Sequence, residues 1–278
     1  MVINSFSFLF FFGFLFLVYY FPLKNKTRGQ NGWLLVASYI FYGIADWKML
    51  PVLLVSTLVF YVLGIFIRQS TLKRASLLTA LGVIAGVGTL LYFKYLNFFI
   101  DSFATLFTSI GFRVNLTTLH IIFPLGISFF TFRLISYVIE VYRGRMEPVR
   151  DFVAFATYIA FFPTLLAGPI DRPTVFIPQL KSARTFNYDL AMDGTRQILW
   201  GIFKKMVIAD NMALFVGAVW GDLPGQNATT LLLAALVFPL QLYADFSGYS
   251  DMAIGVGKIL GLRVSVNFRY PFFARNVA

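Results

Sequence analysis

Gln241-Leu-Tyr-Ala-Asp245-Phe-Ser-Gly248-Tyr-Ser-Asp251 follows directly on the apolar run 229–244, and is followed in turn by Gly255, Gly257, Gly261 and Asn267-Phe-Arg269-Tyr-Pro271. Two carboxylates thus arrive where charge is expensive. Ionisable groups next to a hydrocarbon layer usually face a protein interior or a water-filled cavity, and they mark a functional site by default. Asp245 and Asp251 are therefore the first candidates, with Gln241, Tyr243 and Tyr249 able to add hydrogen bonds. On an unbroken helix the two carboxylates would point apart, but Ser247-Gly248 favours a break that would let both line one cavity. The plainer alternative is that they cap the next helix and pair with Lys258 or Arg263, Asp251 being suited to N-cap the residues from Met252 onward.

The surroundings are those of a membrane protein. Of 278 residues, 59% are hydrophobic and 13% charged, 34 are phenylalanine, and the mean hydropathy is +0.77. A spanning helix needs about 20 mostly apolar residues, so this composition reads as an all-α, polytopic integral membrane protein. The net charge of +11 does not point to nucleic acid, because the basic residues gather in short gaps between apolar runs, where they set topology. The lack of cysteine excludes disulfides and thiolate chemistry, and a single histidine excludes a multi-histidine metal site. The first apolar run lacks a basic leader and a small-residue cleavage site, so it is expected to remain as an anchor. With no repeat or long linker, 1–278 reads as one membrane domain.

Residues 6–21 are continuously apolar and the turn Pro22-Leu-Lys24-Asn-Lys26-Thr-Arg28-Gly29 is basic, which puts the turn in the cytoplasm and the N-terminus outside. Residues 33–44 read as a short second span, 49–67 as the return to Arg68, Lys73 and Arg74, and 77–93 as a fourth span followed by an external connection as far as Thr118. The next span, 121–139, is interrupted by Pro124, Gly126, Ser128, Thr131, Arg133 and Ser136. An arginine inside a span must snorkel, pair or face water. Arg133 therefore either faces a pore or pairs within the protein, with Glu140 as a candidate partner. The basic gap 140–150 is again cytoplasmic.

Residues 152–170 are apolar, yet Pro163, Gly168 and Pro169 break their far half, and Arg172, Lys181, Arg184, Arg196 and Lys204-Lys205 follow. Those charges prefer the cytoplasm. The segment is thus expected to enter and return, its broken backbone buried in protein, with a full crossing as the alternative. Residues 206–220 then run outward, 221–225 turn, and 229–244 return. His120, beside Thr117 and Thr118 at the edge of a span, reads as an interfacial residue rather than a base. The spacing of Gly255, Gly257 and Gly261 is not that of a phosphate loop and suits close helix contact.

Asp245-Phe-Ser-Gly-Tyr-Ser-Asp-Met-Ala-Ile-Gly255, with Leu260-Gly-Leu-Arg and Asn267-Phe-Arg-Tyr-Pro271, resembles the membrane-bound O-acyltransferase family in its alginate O-acetyltransferase-like bacterial branch. Pro124-Leu-Gly-Ile-Ser-Phe-Phe-Thr-Phe, Ser136-Tyr-Val-Ile-Glu-Val-Tyr-Arg-Gly144, Phe161-Phe-Pro, Ala167-Gly-Pro-Ile170 and Gly201-Ile-Phe-Lys-Lys-Met-Val-Ile-Ala-Asp210 agree in order. The resemblance implies a helical bundle with re-entrant segments around a central funnel, in the bacterial cytoplasmic membrane. It implies transfer of an acyl group, with acetyl-coenzyme A as donor, to hydroxyls of an extracytoplasmic polysaccharide reached through partner acetylation proteins. Asp245 would support the reaction, and Gln241, Tyr243, Ser247, Tyr249, Asp251, Asn267 and Arg133 would line the tunnel. The histidine base of the family stands in a segment resembling Phe-Trp-Arg-Arg-Trp-His-Ile-Ser that would begin just after Asn276, and His120 does not match its position. The expectation for this chain by itself is negligible O-acetylation. Readings from other classes are a transporter or lipid-linked sugar flippase, which would want an inverted repeat, and a non-catalytic scaffold.

Overall fold

The computed structural model describes residues 3–110, 124–268 and 272, and every regular element among them is helical. Twelve α-helices follow in order: α1 Phe6–Tyr20, α2 Thr27–Asp46, α3 Leu50–Gln69, α4 Leu72–Leu90, α5 Leu96–Ser109, α6 Ile127–Tyr142, α7 Phe152–Ala160, α8 Phe162–Leu165, α9 Pro173–Phe176, α10 Tyr188–Ile202, α11 Asp210–Gly221 and α12 Ala228–Ile259. π-helical segments Leu91–Tyr95 and Phe203–Ala209 join α4 to α5 and α10 to α11. Ser5, Asp151, Asn187 and Asn227 each cap a helix by accepting from its first-turn amides. Three stretches, Thr27–Gln69, Leu72–Ser109 and Ala228–Ile259, are long and apolar enough to cross a membrane.

The first of these stretches is a hairpin. A straight helix of 43 residues would hold its ends about 64 Å apart. Instead Thr27 and Arg28 at one end, and Arg68 and Gln69 at the other, adjoin the same loop around Glu147, Pro148 and Arg150. Tyr61 Oη donates to Arg150 O at 2.6 Å, and Arg68 Nη2 meets Glu147 Oε1 at 2.7 Å. Three basic connections that the sequence assigns to one side of a membrane thus come together in space. The hydrogen bond from Arg68 holds the Glu147 carboxyl below the usual glutamate range, with the Arg68 and Arg150 charges adding to the effect. Because the folded state favours the ionised form, this contact is in place above the ordinary glutamate range and fades as pH falls through the lowered value. A labelled Glu147 side-chain carboxyl is expected to titrate below an ordinary glutamate by NMR and to move back up in Arg68→Gln; identical titration in both proteins would show that the hairpin closes elsewhere.

α2 serves as a ruler for the broken segment that follows α6. Thr157 Oγ1 of α7 donates to Asn31 O at 3.1 Å, and Phe162 N at the start of α8 donates to Ser38 Oγ at 3.2 Å. Beyond α9 the chain comes back: Asn31 Nδ2 donates to Leu180 O at 2.9 Å, and Gln30 exchanges two bonds with the Arg184 backbone. The excursion therefore ends at the level where it began. At nine residues α7 is about 14 Å long, half a hydrocarbon thickness. Its turning point is fixed by aromatic packing, with Phe162 edge-on to Phe11 at 5.6 Å and 5.4 Å from Phe41, and Phe161 5.0 Å from Phe176.

Three expectations are corrected. The external connection after residue 93 is helical to Ser109, since the π turn at Leu91–Tyr95 lets the polar residues Lys94, Asn97 and Asp101 ride on one continuing helix. Lys204 and Lys205, read as preceding the apolar run 206–220, lie inside the helix that runs from α10 into α11. Ser247-Gly248 does not break α12, which is helical throughout 228–259, so Asp251 caps nothing. His120 lies outside the described residues.

Candidate functional site: a charged seam between α10 and α12

α10 and α12 pack antiparallel through glycine. A Cβ on Gly201 would stand 2.5 Å from Gly248 O, and Gly194 opposes Gly255 in the same way seven residues further along. Small residues let two helices approach to backbone contact, which in a bilayer replaces the missing hydrophobic drive for association. Glycine at 248 is thus required by the neighbouring helix, and the residue read as a helix breaker is a contact surface.

The close approach brings charge together. Lys204 Nζ lies 2.6 Å from Asp251 Oδ2, whose Oδ1 accepts from Gln197 Nε2 at 2.9 Å. The adjacent Lys205 Nζ bridges Asp245 Oδ1 at 2.7 Å and Asp210 Oδ1 at 2.9 Å. Both lysines stand in the π-helical segment, where one extra residue per turn re-aims side chains, and such widened turns recur at functional sites. The Lys204–Asp251 side chains are 17% and 18% exposed, those of Lys205 and Asp245 30% and 37%, so the inner pair is structural and the outer pair remains reachable. Lys258, considered above as a partner for α12's own carboxylates, reaches Asp193 instead, at 2.5 Å.

Breaking a fully buried ion pair at one end costs about 3–5 kcal/mol because the other charge is left uncompensated, and this partly buried pair loses less than that. Asp251→Asn is expected to lower the thermal midpoint of the purified protein strongly, and Lys204→Asp combined with Asp251→Lys to recover most of the loss. A double variant no better than the sum of its two singles would mean that the pair contributes nothing.

α12 also contributes Tyr249 to a second polar centre. Arg133, on α6, is 1% exposed and donates to Tyr158 O at 3.2 Å, Ile159 O at 3.3 Å, Thr164 O at 3.1 Å, Pro169 O at 3.1 Å and Thr164 Oγ1. These acceptors belong to the broken segment, whose carbonyls lose their helical partners at Phe161 and Pro163. Glu140 does not pair with Arg133; it lies 3.4 Å from Arg145. At the other end of α6, Gly126 adopts φ +70° with its Cα turned against the Leu165 carbonyl, a place no side chain can occupy. Tyr158, Asp171 and Tyr249 are electrostatic neighbours of the guanidinium. Asp171, itself 1% exposed, accepts from Ser265 N and Oγ at 2.7 and 2.6 Å and so ties the chain after α12 to the same centre. Arg133 Nε, Asp171 Oδ2, Tyr249 Oη and Ser247 Oγ are buried polar atoms without a hydrogen-bond partner among the described residues.

No family model matches the chain. Over its whole length it is 39% identical to the probable alginate O-acetylases AlgI of Pseudomonas putida and Pseudomonas aeruginosa, covering 56% and 53% of those proteins. The peptidoglycan O-acetyltransferase of Helicobacter pylori is 34% identical over 88% of the chain, with 51% of that protein covered. Along its length the chain is similar to bacterial membrane-bound O-acyltransferases. It spans about half the length of the curated relatives it matches.

On this framework the predicted site residues divide into three groups. Asp245 and Asp251 sit on the seam, each with a lysine. Arg133 and Tyr249 meet at the buried centre around the broken segment, and Ser247 is buried on α12; among the described residues the Ser247 and Tyr249 hydroxyls have no hydrogen-bond partner. The Gln241 and Asn267 side chains make no hydrogen bond among the described residues, and the Tyr243 ring packs against Phe268 at 6.0 Å and Phe272 at 5.4 Å. Sequence reading missed Lys204, Lys205 and Gln197 as partners. The signal for them was the matched seven-residue spacing of Gly194/Gly201 and Gly248/Gly255, which sets the two helices in antiparallel register. Among the described residues no group of three or more His, Cys, Asp or Glu side chains is placed to hold a metal ion.

Proposed function

We propose that the chain forms the membrane framework of an O-acyltransferase that passes acetyl groups from acetyl-coenzyme A to hydroxyls of an extracytoplasmic polysaccharide of the alginate kind. The observation that carries this reading is the 39% identity to alginate O-acetylases along the entire chain. The protein sits in the bacterial cytoplasmic membrane as one membrane domain, its basic loops inside and its N-terminus outside, and hands acetyl groups on through partner acetylation proteins. Acyl transfer to a hydroxyl needs a base for the hydroxyl proton and donors for the developing oxyanion. Asp245, already engaged by Lys205, serves to position a reactant or the base. The free amides of Gln241 and Asn267, with Tyr243, face the substrate path. The hydroxyl of Tyr249, near Arg133, and that of Ser247 supply unspent hydrogen bonds, while Arg133 and Asp251 hold the walls.

The test is a chimaera in which this chain replaces the matching stretch of the Pseudomonas aeruginosa protein, expressed in a host lacking its own alginate O-acetylase. Ester-linked acetate on the polymer is expected to return with the chimaera and to stay at background with the 278-residue chain alone. Asp245→Asn in the chimaera is expected to lower it by roughly tenfold to a hundredfold, the cost of misplacing a reactant by about 1 Å, at unchanged membrane abundance. A chimaera that accumulates normally and acetylates nothing would overturn the assignment, as would acetylation by the chain alone.

A further inference from the structure

At the end of the bundle where the basic loops converge, a cavity of about 810 Å³ opens between the start of α2, the loop before α7 and the 3₁₀ turn Ile177–Lys181. Arg28, Arg145, Arg150 and Lys181 stand around it, over a floor that includes Val149, Ala154, Ile177 and Leu180. Its two carboxylates are engaged elsewhere: Glu147 by Arg68, and Asp151 by the first amides of α7. Arg145 is shared with Glu140. Among the described residues Arg28 and Lys181 form no ion pair, and Arg150 acts on Glu147 through its charge alone, without an ion-pair contact. A second cavity of about 350 Å³, lined by Tyr61, Ile65, Arg68 and Gln69 of α3, shares Glu147, Pro148 and Arg150 with the first. It leads onto the lipid-exposed face of α3, where Val62 and Phe66 are 39% and 54% exposed.

We propose that the larger basic cavity binds the phosphate-bearing headgroup of an anionic phospholipid, with the acyl chains passing the neighbouring smaller cavity to lie along α3. Three cations without an ion-pair contact call for phosphate oxygens. The apolar floor and the opening onto an exposed hydrocarbon face call for an amphiphile rather than a small soluble anion, and the space far exceeds that of a lone phosphate. Basic pockets between spanning helices at the cytoplasmic boundary are the known setting for such headgroups.

The full chain, extracted in mild detergent from bacterial membranes, tests this by quantifying co-purified phosphatidylglycerol and cardiolipin against phosphatidylethanolamine with native mass spectrometry. Each basic residue near an anionic surface contributes about fivefold in affinity. Anionic lipid retention is therefore expected to fall by on the order of tenfold or more in Arg28→Gln/Arg150→Gln/Lys181→Gln. It is expected to be unchanged in Lys48→Gln/Arg74→Gln/Lys94→Gln, which loses the same charge away from the cavity. Arg150→Gln alone, the milder variant if the triple one unfolds, is expected to lower retention severalfold, and Arg28→Lys/Arg150→Lys to keep it. Equal retention in both triple variants, or equal loss in both, overturns the proposal. Displacement of the lipid by micromolar adenosine 3′,5′-bisphosphate would assign the cavity to a soluble diphosphate-type anion and overturn the lipid assignment.

Discussion

Arg133→Leu is expected to abolish accumulation of folded protein in the membrane. The guanidinium supplies donors to four main-chain carbonyls and one hydroxyl of the broken segment, all of them out of reach of water. Each buried acceptor left without a partner costs about 1–3 kcal/mol, so losing four carbonyl contacts costs about 4 kcal/mol or more. A whole domain is held by about 5–15 kcal/mol. Arg133→Lys keeps the charge but replaces a planar fork of five donors with one ammonium of three, and is expected to give an intermediate loss. Thr164→Val removes a single acceptor and is expected to be mild. Size-exclusion profiles and thermal midpoints in detergent read all three, and a monodisperse, normally stable Arg133→Leu protein would show that the broken segment is held by something else.

Gly201→Val is expected to be nearly as damaging, and through a different route. The new side chain would meet Gly248 O at 2.5 Å and Met252 Cγ at 2.8 Å, so the two helices have to part. Overpacking by itself costs about 1–3 kcal/mol, and parting also separates Lys204 from Asp251 and Lys205 from Asp245. Gly217→Val, on α11 where a Cβ meets nothing within 4 Å, is expected to be nearly neutral and serves as control. Equal midpoints for the two variants would mean that α10 and α12 are not in backbone contact.

These two residues mark how far the sequence could be read. Arg133 stood out because charge inside an apolar run is rare, and the breaks at Pro163, Gly168 and Pro169 were visible as local chemistry. What no local pattern showed is that the arginine and the breaks answer each other across 25 to 36 residues. The fold class was legible because composition and segment length follow directly from the hydrocarbon thickness. The seam was misread for two physical reasons. Glycine permits a break and also permits contact, and only the partner helix decides between them. Lysines 204 and 205 count as cytoplasmic when charges are tallied singly, whereas carboxylates about 40 to 47 residues later in the chain neutralise them within the bundle. The alternative of Asp251 as a helix cap likewise stayed open because its real partners are remote in sequence.

The paired seam is the account's central structural claim, and a chain without cysteine offers a clean way to test it. Gln197→Cys combined with Asp251→Cys, treated in intact membranes with a short bis-maleimide, is predicted to give a single internally cross-linked species of faster electrophoretic mobility. Gln197→Cys with Val266→Cys, on the exposed chain beyond α12, is predicted not to. If the basic stretch from Asp171 to Lys205 were instead an extended connection and α12 broke at Ser247-Gly248, positions 197 and 251 would lie apart, and failure of the first pair to cross-link would contradict the structure described here.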